Sequence, residues 1–340
     1  MSIQAFTICS ANYLAQAITL GDSLREHGPD WKFTIVLVDD PGSIRDVPIP
    51  RWISILPAED IGIPEFQAMA LRYNIIELST AIKPFCFVWF FSQDTASEQV
   101  HYVDPDMMFF NDPEPLFRGL KEADMLLTPH HFSEIPHDNK FPRENLALNH
   151  GIYNLGYLGL RRTKSTDEML SWWSSRLHSH CIIDLKEGYF VDQLWMNFVP
   201  IYYPGADICR HPGINIAYWN LHERTVLNDR ELSYRGESWP LVLFHFSGFR
   251  PASPDRLTRA DIRVGPREQP ALVPMLEDYA KRLLANGYER LSLIESTYVS
   301  ANRQAAEARK REFAKRHPMI LLSRRLRQMV PEKLKLLLRA

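Results

Sequence analysis

The residues best suited to chemistry lie in one short run, residues 101–106 (HYVDPD), after which apolar residues resume. An apolar, strand-like segment ends there in two carboxylates, Asp104 and Asp106, spaced two positions apart. Carboxylates in this arrangement are ligands for a hard divalent cation, and such a cation commonly binds phosphate groups. The simpler alternative is an ordinary turn, because Pro presets the backbone and Asp stabilises turns.

A second candidate site lies near the N-terminus. Residues 7–13 (TICSANY) have the pattern of a strand, a turn and the start of a helix. Backbone groups and the small side chains of Thr7, Cys9, Ser10 and Asn12 would suit a nucleotide base and ribose there. An ordinary turn between a strand and a helix has the same pattern. The run lacks the glycine spacing of a dinucleotide site and the lysine of a phosphate-binding loop, so neither of those is predicted.

Further polar residues lie in the middle of the chain. Lys83 precedes a proline, which disfavours helical geometry at the lysine, and its charge would suit a substrate near the metal. A solvated lysine at a helix end is the alternative. Asp192 and Gln193 form a polar pair at an apolar helix start. They would face a cleft, or Asp192 would simply cap the helix.

A last polar group follows an apolar strand, in residues 245–251 (HFSGFRP). His245 is a candidate metal ligand, because neutral imidazole binds divalent metals. Arg250 is a candidate phosphate contact, because its fork of donors fits phosphate oxygens. The alternative for His245 is a structural histidine.

The surrounding pattern alternates strands with helices. Strands are predicted at 6–10, 33–38, 52–56, up to Asp104, 125–128, 151–160 and 240–246; helices are predicted from residue 12 or 13, at 66–78, 81–91, 166–178, 189–198, 269–286 and 300–316. Continuous apolar strands alternating with helices favour a mostly parallel α/β sheet. In such sheets ligands bind beyond the carboxyl ends of the strands, where Ser10, Asp39 and Asp104 fall.

Composition fits a soluble globular protein: of 340 residues, 45% are hydrophobic and 24% charged, with a formal net charge of -2. No uninterrupted apolar run reaches the roughly 18–20 residues that span a bilayer. The N-terminus lacks the pattern of a secretion signal. Four scattered cysteines are typical of a reduced, cytoplasmic protein. Nucleic-acid binding is not expected, because residues 1–300 carry 27 Lys and Arg against 38 Asp and Glu.

Four motifs in order resemble glycosyltransferases of the GT-A fold, most closely the family 8 type of retaining sugar-nucleotide transferases. The motifs are Asp104-Pro105-Asp106, Asn154-Leu155-Gly156, Asp192-Gln193 and His245 through Pro251, where Arg250 replaces the usual lysine. The similarity spans roughly residues 5–251. It implies a GT-A domain at 1–265, divided into a nucleotide-binding half (1–110) and a donor-sugar and acceptor half (111–265), followed by a basic helical extension at 266–340.

The resemblance also implies roles for individual residues. The donor would be a nucleotide-diphosphate sugar, most commonly a UDP-sugar, with Mn²⁺ or Mg²⁺ bound by Asp104, Asp106 and His245. The donor contacts would be Thr7, Cys9, Ser10, Asn12, Asp39, Lys83, Asp104, Gly156, Gly248 and Arg250. Asn154, Asp192 and Gln193 would face the reacting sugar carbon. Residues 215–224 (NIAYWNLHER) are similar to a segment of bacterial surface-polysaccharide transferases, so Trp219 and His222 would bind a glycan or lipid-linked acceptor.

The end of the chain is strongly basic. Residues 301–340 contain 12 Lys and Arg against three Asp and Glu, interleaved with apolar residues. A basic amphipathic helix of this kind can lie on an anionic membrane, which would place the protein at the inner face of the membrane. The alternative is a solvated extension or a dimer contact. Two other functions are compatible with this type of sheet: a sugar nucleotidyltransferase, and a non-catalytic sugar-nucleotide or glycan-binding protein.

Overall fold

The architecture is that of a computed structural model, which describes residues 3–93 and 98–299. Its strands are β1 Ile3–Cys9, β2 Trp31–Leu37, β3 Ile53–Pro57, β4 Gln99–Val103, β5 Met107–Phe109, β6 Met125–Pro129, β7 Tyr153–Arg161, β8 Ile183–Asp184, β9 Tyr189–Phe190, β10 Ala206–Ile208, β11 Arg224–Val226, β12 Glu231–Tyr234, β13 Glu237–Pro240 and β14 Leu243–His245. Its α-helices are α1 Leu14–His27, α2 Phe66–Arg72, α3 Ile75–Ala81, α4 Lys83–Gln93, α5 Glu114–Glu122, α6 Asn145–His150, α7 Lys164–His180, α8 Val199–Tyr202, α9 Leu272–Ala285 and α10 Tyr288–Leu291.

The core of the fold is a seven-stranded sheet in the order β10-β6-β7-β4-β1-β2-β3. All of its strands run in one direction except β7, which is antiparallel to both β4 and β6. The other parallel pairs are β1 with β2 and β4, β2 with β3, and β6 with β10. The predicted mixed, mostly parallel α/β sheet with flanking helices is therefore confirmed.

Burial explains why the central strands are almost entirely apolar. In β1 every residue after Ile3 is buried, because helices cover both faces of the sheet. On one face α1 approaches β2 and β3 closely at Gly21, where a Cβ atom would lie 2.7 Å from Ile53 and 2.8 Å from Phe33. On the other face the Phe6 ring contacts the rings of Phe87 and Phe90 in α4, with centroids 4.9 Å apart.

A small ribbon beside the main sheet brings distant parts of the sequence together. Strand β14 pairs antiparallel with β5, so that His245 lies opposite Met107. Helix α9 supports this ribbon from behind: the Tyr279 ring stacks on Phe246 with centroids 3.9 Å apart. The ribbon therefore holds the end of β14 next to the turn that follows β4.

Several predicted elements differ in the structure. The helix predicted at 189–198 is instead strand β9, a turn and a 3₁₀ helix at Leu194–Phe198, because Val191 has a positive φ of 39° that interrupts any helix. Helix 66–78 is broken into α2 and α3 at Asn74, which caps α3 with its side chain. Helix α4 begins at Lys83, which the sequence placed outside helical geometry. The predicted helix at 300–316 lies outside the described residues.

Helices α3 and α4 form one stretch, Ile75–Gln93, that is long and apolar enough to cross a membrane by length and composition. It is the one such stretch in residues 3–93 and 98–299, although the sequence alone showed no uninterrupted apolar run of that length. Half of it is buried inside the protein. Its buried side packs on the sheet through Phe87 and Phe90, which accounts for its apolar composition.

Candidate metal and donor site

The three predicted metal ligands lie together at the carboxyl edge of the sheet. Asp104 follows β4, and its backbone N–H donates to the Gly156 carbonyl of β7 at 2.7 Å. The Phe246 N–H donates to the Asp106 carbonyl at 2.8 Å, which fixes the end of β14 to the same turn. His245 thereby faces both carboxylates. We call Asp104, Asp106 and His245 the ligand triad.

The triad has the dimensions of a metal site. The Nε2 atom of His245 lies 3.1 Å from Asp106 Oδ1 and 3.9 Å from Asp104 Oδ2. One ligand atom from each residue lies within 4.8 Å of the other two. The His245 side chain is 5% exposed, whereas those of Asp104 and Asp106 are 28% and 22% exposed, so the carboxylates open toward solvent. Two carboxylates and one imidazole suit Mn²⁺, Mg²⁺ or a similar divalent ion.

Electrostatics at the triad favour a bound cation. Burial raises the pKa of Asp104, although Lys83 and His245 act to lower it. The pKa of His245 is raised: burial acts to lower it, but the nearby Asp106 and Asp104 carboxylates outweigh that effect. The Tyr102 hydroxyl donates to Asp104 Oδ1 at 2.5 Å and fixes that carboxylate. A divalent ion would balance the two acidic charges that this close packing brings together.

A second layer orients the histidine. The Nδ1–H of His245 donates a hydrogen bond to Asn215 Oδ1 at 3.3 Å, which leaves Nε2 directed at the carboxylates. The Asn215 amide nitrogen donates to Asn154 Oδ1 at 2.9 Å and to Thr128 Oγ1 at 3.0 Å. Gly156 lies directly beneath the imidazole, where a Cβ atom would be 2.7 Å from its Nδ1. Gly156 thus permits the close approach that glycine within a strand often marks.

Lys83 and Asp192 form a buried ion pair below the triad. Their Nζ and Oδ2 atoms lie 2.6 Å apart, and both side chains are 2% exposed. Lys83 also donates to the Leu155 carbonyl at 3.1 Å, and its ammonium lies 4.0 Å from the centre of the Tyr102 ring. Burial raises the pKa of Asp192, whereas the Lys83 charge lowers it. Lys83 is therefore not the solvated helix-end lysine of the alternative interpretation, and Asp192 does not cap a helix.

Gln193 has both ends of its amide engaged by the backbone. Its Oε1 accepts from the Leu155 N–H at 3.0 Å, and its Nε2 donates to the His150 carbonyl at 2.8 Å. Gln193 and Asn154 line a cavity of about 380 Å³ beside the triad. We call it the sugar cavity, after the sugar that the sequence resemblance predicts beside Asn154 and Gln193. Its other lining residues include His130, His131, Phe141, Arg143, His150, Phe190, Tyr218 and Trp219.

Of the two residues predicted to bind the acceptor, Trp219 lines the sugar cavity and His222 does not. Trp219 lines the sugar cavity, and its ring lies edge-on to His245 with centroids 5.1 Å apart. Its indole N–H is buried and has no hydrogen-bond partner in the described structure. His222 does not line that cavity and lies beside His131, with ring centroids 6.0 Å apart. His130 does line it, and burial lowers its pKa to about 4, so it is neutral near pH 7.

The N-terminal candidates separate into buried and accessible groups. Thr7 and Cys9 are 0% and 3% exposed within β1, and burial, followed by the Asp39 charge, raises the pKa of the Cys9 thiol. Ser10 donates to Asn12 Oδ1 at 2.5 Å. Asn12 instead lines a second cavity, of about 310 Å³, together with Gly248 and Arg250.

Sequence reasoning missed some residues that the structure brings to the site. Asn215 lay in a segment noted for sugar binding, but its contact with His245 joins positions 30 apart and no local pattern reveals it. Tyr13 and Gln16 line the second cavity one helical turn apart. The spacing of three from Tyr13 to Gln16 was a usable signal, since such residues share a helix face.

Comparison with protein families gives no match. Among curated proteins, the chain is 25% identical over 245 residues to the uncharacterized protein YfnF of Bacillus subtilis (strain 168), covering 72% of this chain and 80% of YfnF. Among solved structures it is similar to the galactosyltransferase LgtC in complex with donor and acceptor sugar analogs, with a TM-score of 0.45, 14% identity, and coverage of 82% of this chain and 95% of LgtC. It is also similar to the glycosyltransferase GlyE of Streptococcus pneumoniae TIGR4, with a TM-score of 0.44, 13% identity, and coverage of 87% and 66%. At these TM-scores the likeness is slight, and function is inferred below from the residues of this chain.

Replacing Asn215 tests whether its contact with His245 supports metal binding by the triad. Asn215→Ala removes the acceptor that fixes His245, and loss of a residue that orients a ligand typically weakens metal binding about 10- to 100-fold. Isothermal titration with MnCl₂ measures this affinity, and circular dichroism checks the fold. Asn228→Ala, at an exposed asparagine, is the matched control and should bind Mn²⁺ as the parent does. Unchanged Mn²⁺ affinity in Asn215→Ala would exclude the orienting role.

The buried ion pair makes a separate prediction. Lys83→Met leaves the Asp192 charge buried without its partner and should lower the free energy of unfolding by about 3–5 kcal/mol. Lys83→Met combined with Asp192→Leu should recover most of that loss, because no charge is then left unpaired. Urea denaturation measures both. Lys164→Met is the control, since the Lys164–Glu168 pair is 91% and 59% exposed and should contribute little. Equal losses for Lys83→Met and Lys164→Met would contradict the prediction.

Proposed function

We propose that this protein is a metal-dependent glycosyltransferase of the GT-A type. It would transfer a sugar from a nucleotide-diphosphate sugar, a UDP-sugar, to a glycan or lipid-linked acceptor in bacterial cell-surface polysaccharide synthesis. The observation that carries this proposal is the ligand triad at the carboxyl edge of a mostly parallel sheet. The order of the four sequence motifs that resemble the family 8 type supports it.

The triad would bind the leaving diphosphate. The His245 ring lies 5.1 Å from that of Trp219, which lines the sugar cavity, and Gly248 and Arg250, which follow His245 in the chain, line the second cavity. A bound Mn²⁺ or Mg²⁺ would offset the negative charge that develops on the diphosphate as the bond to the sugar breaks. Arg250 is exposed and lines the second cavity, where it would supply a fixed positive charge for the same phosphates. Its guanidinium keeps the charge of the lysine usual in the resembling family.

The sugar cavity would hold the transferred sugar and the attacking hydroxyl. Trp219 offers an apolar ring and an unpartnered N–H at one wall, a combination that suits a sugar. Asn154 and Gln193 line the same cavity, and Gln193 lies close to Gly151. Because both ends of the Gln193 amide bind backbone, we assign it the role of holding the wall in place.

We further propose retention of configuration without a covalent sugar–enzyme intermediate. None of the residues found to line the sugar cavity in the described part of the chain is a carboxylate. Asp192, the acidic member of the expected pair, does not line the cavity and is engaged by Lys83. Its negative charge acts through Lys83 on the position of Tyr102 and Asp104, rather than as a nucleophile.

Charge-neutral replacement of the triad tests the metal-dependent mechanism. Asp104→Asn and Asp106→Asn should each lower Mn²⁺-dependent transfer or hydrolysis of a UDP-sugar by about 100-fold or more, since metal stabilisation of the leaving group is worth several kcal/mol. Release of UDP, measured with and without Mn²⁺, gives the rates. Asp112→Asn is the control, because Asp112 is exposed and the Asn side-chain oxygen can accept the same hydrogen bond from the Glu114 N–H.

The outcomes separate the candidate functions. Full activity in both triad variants would overturn the mechanism. Nucleotide binding without any release of UDP would favour the non-catalytic binding protein. Release of pyrophosphate from a nucleoside triphosphate and a sugar phosphate would favour the nucleotidyltransferase.

We also propose that the basic residues 301–340, which lie outside the described structure, bind the anionic inner face of the cell membrane. Removing these residues should abolish sedimentation with vesicles containing anionic lipid and leave UDP release from a soluble donor unchanged. Vesicles of neutral lipid are the control. Equal sedimentation of the full chain and the shortened chain would contradict the membrane proposal.

A further inference from the structure

The sugar cavity carries a positive charge and no negative one. Arg143 lines it, whereas none of its lining residues in the described part of the chain is an aspartate or a glutamate. The rest of the body has the opposite balance, because residues 1–300 carry 38 Asp and Glu against 27 Lys and Arg. A positively charged cavity in an acidic body attracts a ligand that has a negatively charged group.

The histidines of the cavity are held by the backbone and do not supply this charge. In His130, His131 and His150 the Nδ1 atom lies between 2.8 and 3.1 Å from a backbone carbonyl oxygen, to which the ring donates. Such a hydrogen bond fixes the orientation of the ring. Among the lining residues that the structure describes, Arg143 is therefore the one with a permanent charge, since a guanidinium stays protonated in proteins.

Three successive ring contacts lead from the triad to the loop that carries Arg143. The Trp219 ring lies 5.1 Å from the His245 ring, and the Tyr218 ring lies 5.0 Å from Trp219. The Phe141 ring stacks on Tyr218 with centroids 5.8 Å apart, and Arg143 follows two residues later. The reacting carbon of the donor would lie at the triad, so the molecule that attacks it would extend along this wall toward Arg143.

The loop before α6 is held in place by a buried arginine, Arg263, from the segment after β14. Its guanidinium donates to the carbonyls of Pro136, Lys140 and Pro142 at 3.1, 3.2 and 3.2 Å. It also forms an ion pair with Asp138, and Arg263 is only 9% exposed. Because several points of one loop are bound to one rigid group, the loop keeps its shape without a ligand. A ligand that binds there pays little to order it.

The beginning of the same loop is attached separately. The Glu223 carboxylate accepts from the Phe132 N–H at 2.9 Å and from the Ser133 hydroxyl at 2.6 Å. The Arg224 guanidinium lies 4.5 Å from the centre of the Phe132 ring. The loop is thus fixed at both ends, and Arg143 follows directly after the last residue that Arg263 binds.

Arg143 itself has no acidic partner among residues 3–93 and 98–299. Its Nη2 atom donates to the Asn139 carbonyl at 3.1 Å, within the same loop, and the side chain is exposed. The other N–H groups of the planar guanidinium are free to bind two oxygens side by side. Carboxylates and phosphates present their oxygens in that geometry.

We propose that the acceptor sugar carries a negatively charged group, a carboxylate or a phosphate, and that Arg143 binds this group in the sugar cavity. This inference rests on the proposed function. The attacking hydroxyl faces the triad, and the anionic group lies against the loop. A uronic acid or a sugar phosphate unit of a polysaccharide has this chemistry. Arg143 selects the acceptor and takes no part in binding the donor diphosphate, which belongs to the triad and to Arg250 in the second cavity.

The test measures the binding of matched sugars with UDP and Mn²⁺ present at saturation. The methyl glycosides of glucose, galactose and mannose are compared with the corresponding uronic acids and 6-phosphates by saturation-transfer NMR titration. At least one anionic sugar should bind about 10-fold more tightly than its neutral counterpart, the lower end for a hydrogen bond to a charged group because Arg143 is exposed. Preference for uronic acids would identify a carboxylate, and preference for 6-phosphates would identify a phosphate.

Variants assign this preference to Arg143. Arg143→Gln removes the charge and should abolish the preference, with the affinities for UDP and for the neutral sugars unchanged. Arg143→Lys keeps the charge without the planar fork and should keep part of the preference. Arg51→Gln is the matched control, because Arg51 is exposed and precedes β3, at the edge of the sheet opposite the triad. It should keep the full preference.

The remaining results contradict one of the two proposals and show which. A parent that binds UDP with Mn²⁺ but binds anionic and neutral sugars equally would overturn the anionic acceptor and leave the transferase intact. A preference that persists in Arg143→Gln, or that falls equally in Arg51→Gln, would remove the role of Arg143. A parent that does not bind UDP with Mn²⁺ would overturn the proposed function itself.

Discussion

The buried ion pair between Lys83 and Asp192 is the contact on which the geometry of the site depends. It joins the start of α4 to the turn after β9, and Lys83 also binds the Leu155 carbonyl of β7 and contacts the Tyr102 ring of β4. Four separate elements thus meet at one ammonium group. Two charges taken out of water are costly and rarely add net stability. Their value here is positional, because Tyr102 in turn donates to Asp104.

Above this ion pair, strand β7 approaches the His245 imidazole so closely that only some residue types fit there. The single antiparallel strand, β7, crosses the sheet between β4 and β6 and delivers Asn154 and Gly156 to the edge where parallel strands end. Gly156 gives the imidazole of His245 room, and Asn154 receives the amide of Asn215. His245 therefore rests on amides and on a missing side chain rather than on further charges. That arrangement directs Nε2 of His245 without adding to the negative charge of the site.

Much of the fold and of the triad could be predicted from the sequence, because their signals are local. Features that depend on contacts between distant residues could not. Continuous apolar strands predicted the parallel sheet, and residue types at strand ends predicted the triad, because both are local signals. The helix predicted at 189–198 was wrong because the positive φ of Val191 follows from tertiary contacts around Asp192 rather than from local preference. The contacts of Asp39 and Asn215 were not visible in the sequence for the same reason. Their partners, Thr297 and His245, are 258 and 30 positions away.

The backbone N–H and the hydroxyl of Thr297 donate to Asp39 Oδ1, and this contact affects the order in which the molecule is completed during synthesis. Its two residues are 258 positions apart, and closing so long a loop is entropically costly and slow. Tyr288 and Ser292, which line the second cavity, are synthesised shortly before Thr297 and long after the turn that follows β1. During translation the N-terminal turn therefore exists before this wall of the second cavity does. A chain interrupted before Tyr288 has the ligand triad but not all of the residues that line the second cavity.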